Sequence, residues 1–217
     1  IGDIGSHWCD LVQHVIGRRI ETVLADLSTV VTTRFKPAKS AEAFAHLRQG
    51  SGGQAQASQH GEPFDVKSED LATVLVRFAG GARGSVSVGQ VCAGHKNDLW
   101  FEVNGRRASV RWFQERQNEL WIGHRHAANA TLLRDPSLLH DGARPYAHLP
   151  GGHQEAWADA FRNVMKDVYT FIAEGRSPED PKPPAFATFE DGYRSACVVD
   201  AILESQAAGS VWTRVRY

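Results

Sequence analysis

Residues 71–112 read LATVLVRFAGGARGSVSVGQVCAGHKNDLWFEVNGRRASVRW, and this stretch decides the fold. Val74, Val76 and Phe78 alternate with Leu75 and Arg77, Gly80-Gly81 turns the chain, and Val86 and Val88 return. Apolar side chains at a period of two on both sides of a glycine turn specify an antiparallel hairpin. Leu99, Phe101 and Val103 then point one way, Asn104-Gly105 supplies the preferred two-residue turn, and Ala108, Val110 and Trp112 come back. ELWIGH (119–124) adds a strand after the polar QERQN turn. Residues 71–124 are therefore predicted to form an antiparallel meander.

On the N-terminal side, residues 1–17 read as a helix that stops at Gly17, and the β-branched residues between Ile20 and Phe35 read as one long strand. Residues 36–70 form an irregular insertion: an Ala-rich helical turn, AEAFAHL, runs into QGSGGQAQASQHG, which has no periodic apolar face. Residues 125–152 read as a long surface connection. Residues 153–206 hold two helices separated by RSPEDPKPP. In the first, Trp157, Phe161, Val164, Met165, Val168 and Ile172 make one apolar face, expected to lie on the sheet. The second is capped by Thr188 with Asp191 three residues on, and is expected to bury Phe189, Ala196, Val199 and Leu203. A last strand, SVWTRVRY, closes the chain. Without a βαβ rhythm, this order specifies an α+β domain over residues 1–217: a mainly antiparallel open sheet with helices packed on one face.

Composition excludes some classes. With 24 Lys and Arg against 25 Asp and Glu, the formal net charge of −1 gives no electrostatic basis for nucleic-acid binding. Cys9, Cys92 and Cys197 are odd in number and unpaired in spacing, which fits a reducing, cytoplasmic setting rather than a disulfide framework. No apolar run reaches the roughly 18 residues of a membrane span, and no G-x-G-x-x-G follows a strand.

The chemistry concentrates at the start. A 3.6-residue period puts Asp3, His7, Asp10 and His14 along one stripe of the first helix. A carboxylate one turn from an imidazole can orient the ring and support its charged form, so that His7 takes or gives a proton; the same spacing also describes an ordinary exposed ion pair. Four ligands on one helix cannot surround a metal ion, and a metal site would need help from His95, His124, His126 or His153; the HEXXH pairing is absent, so no metal is expected. GHKND (94–98) and PGGHQE (150–155) each place a histidine beside glycine at the edge of an element, where either can line a pocket or sit in solvent.

Five segments together resemble one known family. DIGSHWCDLVQHVIG (3–17), SEDLATVLVRFAGGARGSVSVGQV (68–91), GHKNDLWFEVNGRRASVRW (94–112), PGGHQEAWADAFRNVMKDVYTFIAEG (150–175) and FATFEDGYRSACVVDAILESQAAGSVW (186–212) are similar, in this order, to the C-terminal domain of the glucose-fructose oxidoreductase / inositol dehydrogenase / MocA (Gfo/Idh/MocA) family. The resemblance implies an NAD- or NADP-dependent oxidoreductase of sugars or polyols. Its D-x-x-x-H carries a substrate-binding acid, here Asp3, and the catalytic histidine, here His7; Asp10 matches a substrate-contacting position. His95, Lys96 and His153 are further substrate-binding candidates. The family's catalytic lysine, in an E-K-P motif, and its dinucleotide-binding domain precede this region and are missing from this sequence, so the chain is expected to be part of a longer protein and inert alone. The resemblance further implies a homodimer or tetramer formed through the open sheet face. The alternative is a non-catalytic carbohydrate-binding or self-association domain of the same fold.

Overall fold

The computed structural model of the chain describes residues 1–36 and 61–217. They fall into two units, Ile1–Cys92 with Tyr193–Tyr217, and Ala93–Gly192. The α-helices among the described residues are α1 (Ile4–Ile16), α2 (Trp157–Ala173) and α3 (Phe189–Ala207). Every strand pairing among them is antiparallel, as the α+β reading requires.

The first unit contains β1 (Ile20–Ser28), the short ribbon β2 (Thr33–Phe35) and β3 (Pro63–Asp65), and the hairpin β4 (Leu71–Phe78) and β5 (Arg83–Gly89). In β4 every second residue is buried, and Gly80 and Gly81 turn the hairpin at φ of 81° and 91°, a region open to glycine but not to most side chains. β1 flanks β4 in the register Val23↔Val76 and Ala25↔Val74. These residues, with Ile20 and Phe78, face a core closed by Cys9 and Val12 of α1 and by Val198, Ala201 and Ile202 of α3. The helices therefore gather on one face of this sheet. Its other face shows Thr73, Leu75, Arg77, Ser85 and Ser87 to solvent and is mainly polar.

Three expectations change here. The long strand from Ile20 to Phe35 ends at Ser28, because the buried Asp70 carboxylate accepts the N–H groups of Val30 (2.7 Å) and Val31 (2.8 Å) and turns the chain out of the sheet. Those two bonds also hold Asp70 below the usual carboxylate range. The last strand shrinks to β10 (Thr213–Arg214), paired with β1 at Thr22 and Val23. Beyond that point side chains of α3 replace it: Ser205 Oγ accepts the N–H of Ala25 (3.0 Å) and Gln206 Oε1 that of Leu27 (2.8 Å), so the strand edge is satisfied without a partner strand. Finally, α3 buries Ser195, Cys197, Val198, Ala201, Ile202 and Ser205, whereas Phe189, Ala196 and Leu203 are exposed. The small residues of that stripe are what let the helix approach the sheet. The Thr188 cap is present: the Asp191 N–H donates to Thr188 Oγ1 (3.4 Å), and Asp191 Oδ2 accepts the Thr188 N–H in return (2.8 Å). The Ala-rich turn within the 36–70 insertion lies outside the described residues.

The second unit holds a four-stranded meander, β6 (Trp100–Asn104), β7 (Ala108–Phe113), β8 (Glu119–His124) and β9 (Ala130–Leu133), in chain order. The run expected over 71–124 is thus divided between two sheets, and β9 is a strand inside what reads as a connection. The β6–β7 turn sits at Arg106-Arg107 rather than Asn104-Gly105: Asn104 pairs with Ser109, and Gly105 N donates to Ala108 O. Only this register puts Phe101 opposite Trp112 and Val103 opposite Val110, and a slip would send those side chains to opposite faces. The face containing Phe101, Val103, Val110, Trp112, Leu120 and Ile122 is apolar throughout yet half-buried. The opposite face carries Trp100 stacked on Phe113 and the Glu102–Arg111 ion pair, with Arg111 over the Trp121 ring.

Helix α2 does not press its apolar stripe onto a sheet. Trp157 is 73% exposed, Phe161, Val164, Met165 and Ile172 are exposed too, and only Asn163 and Phe171 are buried. Its periodicity marks a face that this unit by itself leaves uncovered.

Candidate functional site

Helix α1 is fixed from behind and at its end. Gly5, Cys9 and Val12 face the core, and Gly17 ends the helix in the left-handed region at φ 65°, its N–H bonded to Gln13 O and His14 O. Gln13 ties the helix to the start of β1: its Nε2 donates to Cys9 O (3.1 Å) and its Oε1 accepts the N–H of Ile20 (3.0 Å). The Tyr217 hydroxyl donates to Ile20 O (2.7 Å) and lies 3.0 Å from Gln13 Oε1. Burial pushes this phenol up to about 12, so it remains a neutral donor at physiological pH.

A helix held on that side can only present the opposite one. Asp3, His7, Asp10 and His14 are all exposed, as their spacing requires. Asp3 occupies the N-cap position, but its carboxylate makes no capping bond; Ser6 Oγ donates to the Asp3 backbone oxygen instead (2.6 Å). Asp3 and His7 share the stripe without a hydrogen bond between them. Among the described residues, neither ring nor carboxylate is engaged elsewhere. The stripe thus offers an imidazole between two carboxylates to an incoming molecule, a set suited to proton transfer at a hydroxyl. Cys9, next to it in sequence, is no nucleophile: burial, with the Asp10 charge adding to it, pushes its thiol up to about 12.

The remaining candidates lie in the other unit. His95 is exposed, with Nδ1 2.6 Å from Asp98 Oδ2, and Lys96 beside it is exposed. His153 also has an exposed side chain; it is held through its backbone, its N–H donating to Pro150 O and its carbonyl accepting from Arg134. Among the described residues no three His, Cys, Asp or Glu side chains are grouped as a metal site. No helix among them is long and apolar enough to cross a membrane.

Sequence reasoning passed over the groups that shape the loop around His153. Glu155 is 6% exposed; its Oε1 accepts the N–H groups of His148 (2.7 Å) and Leu149 (3.0 Å), and its Oε2 pairs with Arg134 Nη1 (2.7 Å). His148 Nε2 lies 2.6 Å from Oδ1 of the buried Asn163, whose Nδ2 donates to Tyr146 O (2.9 Å). A glutamate just before a helix reads as an ordinary first-turn acid, and nothing in its local sequence reveals its burial.

The chain matches the family described as "Oxidoreductase family, C-terminal alpha/beta domain" over residues 1–215. A levoglucosan dehydrogenase from Pseudarthrobacter phenanthrenivorans is 31% identical over 225 residues, covering 99% of this chain and 51% of that protein. Among solved structures, a levoglucosan dehydrogenase in complex with NADH and L-sorbose superposes with a TM-score of 0.76 at 27% identity, over 99% of this chain and 50% of that one. An oxidoreductase domain protein from Kribbella flavida gives 0.77 at 26% identity, over 99% and 51%. The chain therefore spans about half the length of the relatives it matches.

Proposed function

Because the chain belongs to the oxidoreductase family whose C-terminal α/β domain it matches over residues 1–215, we propose that it is the substrate-side half of an NAD- or NADP-dependent dehydrogenase of sugars or polyols. The observation that supports this most is the exposed Asp3, His7, Asp10 stripe on a helix whose other side is locked into a core. In this reading His7 is the general acid/base, Asp3 orients it and binds a substrate hydroxyl, and Asp10 binds another. His95, Lys96 and His153 add hydroxyl ligands.

Nothing among the described residues is built to cradle a dinucleotide. Their strand pairs are all antiparallel, and no glycine-rich turn leads from a strand into a helix N-terminus. The nicotinamide, held by the other half of the protein, supplies the acceptor for the hydride. What falls to these residues is the proton: as the carbinol C–H bond gives up its electron pair, the hydroxyl proton passes to His7 and the carbon becomes a carbonyl. The reverse reaction returns that proton. The three unpaired cysteines fit a reducing cytoplasm.

A direct test is to assay NAD+ and NADP+ reduction with levoglucosan, myo-inositol and D-glucose. The protein extended to the length of its relatives should turn over at least one of them, and residues 1–217 alone should turn over none. No reduction by the extended protein refutes the dehydrogenase reading, and turnover by residues 1–217 refutes the division of labour.

The same reading carries an assembly. Both faces of the β6–β9 sheet keep large apolar side chains partly open, including Trp100 at 50% exposure, which favours a closed homodimer or tetramer through an open sheet face. Sedimentation at micromolar concentration should show a dimer or larger species even for residues 1–217; a strict monomer overturns this.

A further inference from the structure

Within the first unit, a narrow cleft of about 270 Å³, counted to its open mouth, lies between the start of α1 and the paired ends of β4 and β5. Ile4, Leu71 and Val88 give it an apolar wall, and Asp3, Glu69, Asp70 and Gln90 a polar one. Two of the four polar side chains are already engaged. Asp70 accepts the N–H groups of Val30 and Val31, and Glu69 Oε1 accepts from the Ile1 nitrogen. The Asp3 carboxylate and the Gln90 amide are exposed and have no hydrogen-bond partner among the described residues. Gln90 nevertheless has a fixed place. Its backbone N–H donates to Asp70 O (2.8 Å), and the Asp70 N–H donates to Ser28 O (3.0 Å), which ties the residue after β5 through β4 to β1.

A carboxylate and an amide that line one cleft suit a hydroxyl group. The carboxylate accepts the hydroxyl hydrogen, the amide nitrogen donates to the hydroxyl oxygen, and an apolar wall meets the C–H bonds of the same carbon. The cleft admits one hydroxyl-bearing group rather than a whole sugar ring. Asp3 lies one helical turn, about 6 Å, before His7 on α1. The group it holds is therefore distinct from the carbinol whose proton passes to His7. We propose that Gln90 is a substrate-binding residue that sets specificity: together with Asp3 it binds, in this cleft, a second hydroxyl group of the sugar or polyol. This rests on the dehydrogenase reading above, and adds to it both Gln90 and a requirement for that second hydroxyl.

The test uses the protein extended to the length of its relatives, the responsive member of levoglucosan, myo-inositol and D-glucose, and the monodeoxy analogues of that compound. Q90A should raise KM about three- to tenfold, the worth of one neutral hydrogen bond. It should keep kcat within about threefold, because a bond made equally in ground and transition state is uniform binding. Q90E keeps the size of the side chain and loses the donor, and should raise KM at least as much. Melting curves of both variants should overlay that of the wild type, since the exposed amide holds no part of the fold. One monodeoxy analogue should lose at least about tenfold in kcat/KM with the wild type. With Q90A that penalty should be about three- to tenfold smaller, because the amide and the missing hydroxyl are two halves of one contact. A KM in Q90A raised less than about threefold, or penalties for every analogue as large in Q90A as in the wild type, overturns the proposal and leaves the His7 chemistry standing; the cleft then holds water only. Absence of turnover by the wild type with all three compounds would refute the dehydrogenase reading instead. Calorimetric titration with the same three compounds, with and without NADH, then decides the cleft by itself: binding about three- to tenfold weaker in Q90A supports the assignment, and equal binding to both proteins, or none to the wild type, overturns it.

Discussion

Replacing His7 with alanine in the full-length protein will lower kcat by about 10²–10⁴-fold, the usual worth of a positioned proton-transfer group. That corresponds to roughly 3–5 kcal/mol of transition-state stabilisation. The effect should fall on kcat, because the ring's task is to hold a proton that moves only as the carbinol is oxidised. Its side chain is exposed and makes no hydrogen bond among the described residues, so its removal costs the fold little, and the melting curve should overlay that of the wild type. His14, two stripe positions beyond His7 and also exposed, is the internal control. H14A should keep kcat within about twofold. Equal losses in both variants would point to a general electrostatic effect of the helix surface, and unchanged turnover in H7A would remove His7 from the mechanism.

How much of this was legible beforehand depends on whether a residue's role is set by its neighbours in sequence or by distant ones. The α1 stripe was readable because 3.6-residue periodicity fixes which side chains share a face, and because Gly17 marks the stop. The β4–β5 hairpin was readable for the corresponding reason at a period of two. Where expectation and structure part, a long-range partner decides. Asp70 ends β1 from 40 residues away, and Ser205 and Gln206 occupy an edge that a longer β10 would have taken. The buried face of α3 was misjudged because Phe189 is apolar yet precedes the part of the helix that meets the core, so the sequence weighted size where the sheet demanded small residues. Asn104-Gly105 is a strong turn signal, but the cross-strand pairing of four apolar residues outweighs it. Glu155 and Arg134 were invisible for the same reason: a buried ion pair is defined by two residues about twenty positions apart, and either one alone looks like surface.

Truncating Phe78 to alanine should cost about 3–5 kcal/mol of unfolding free energy, the range for a large aromatic removed from a closed core. Phe78 is 2% exposed, sits at the end of β4 opposite Ile20, and belongs to the same cluster as Cys9 and Val12 of α1 and Ile202 of α3. Its loss therefore opens a void where the sheet and both helices meet, and none of those elements can move in to fill it without abandoning another contact. Leu75, one strand position from the buried series, is 42% exposed on the opposite face, so L75A should cost well under about 1 kcal/mol. Urea unfolding followed by circular dichroism measures both. The comparison also reaches the chemistry: because the back of α1 is part of this cluster, the unit cannot unfold and still present His7. In F78A the urea concentration at which turnover is lost should fall together with the structural midpoint, while kcat at low urea stays near that of the wild type. Loss of turnover at a midpoint unchanged from the wild type, or a cost for F78A no larger than for L75A, would show that α1 does not depend on this core for its place.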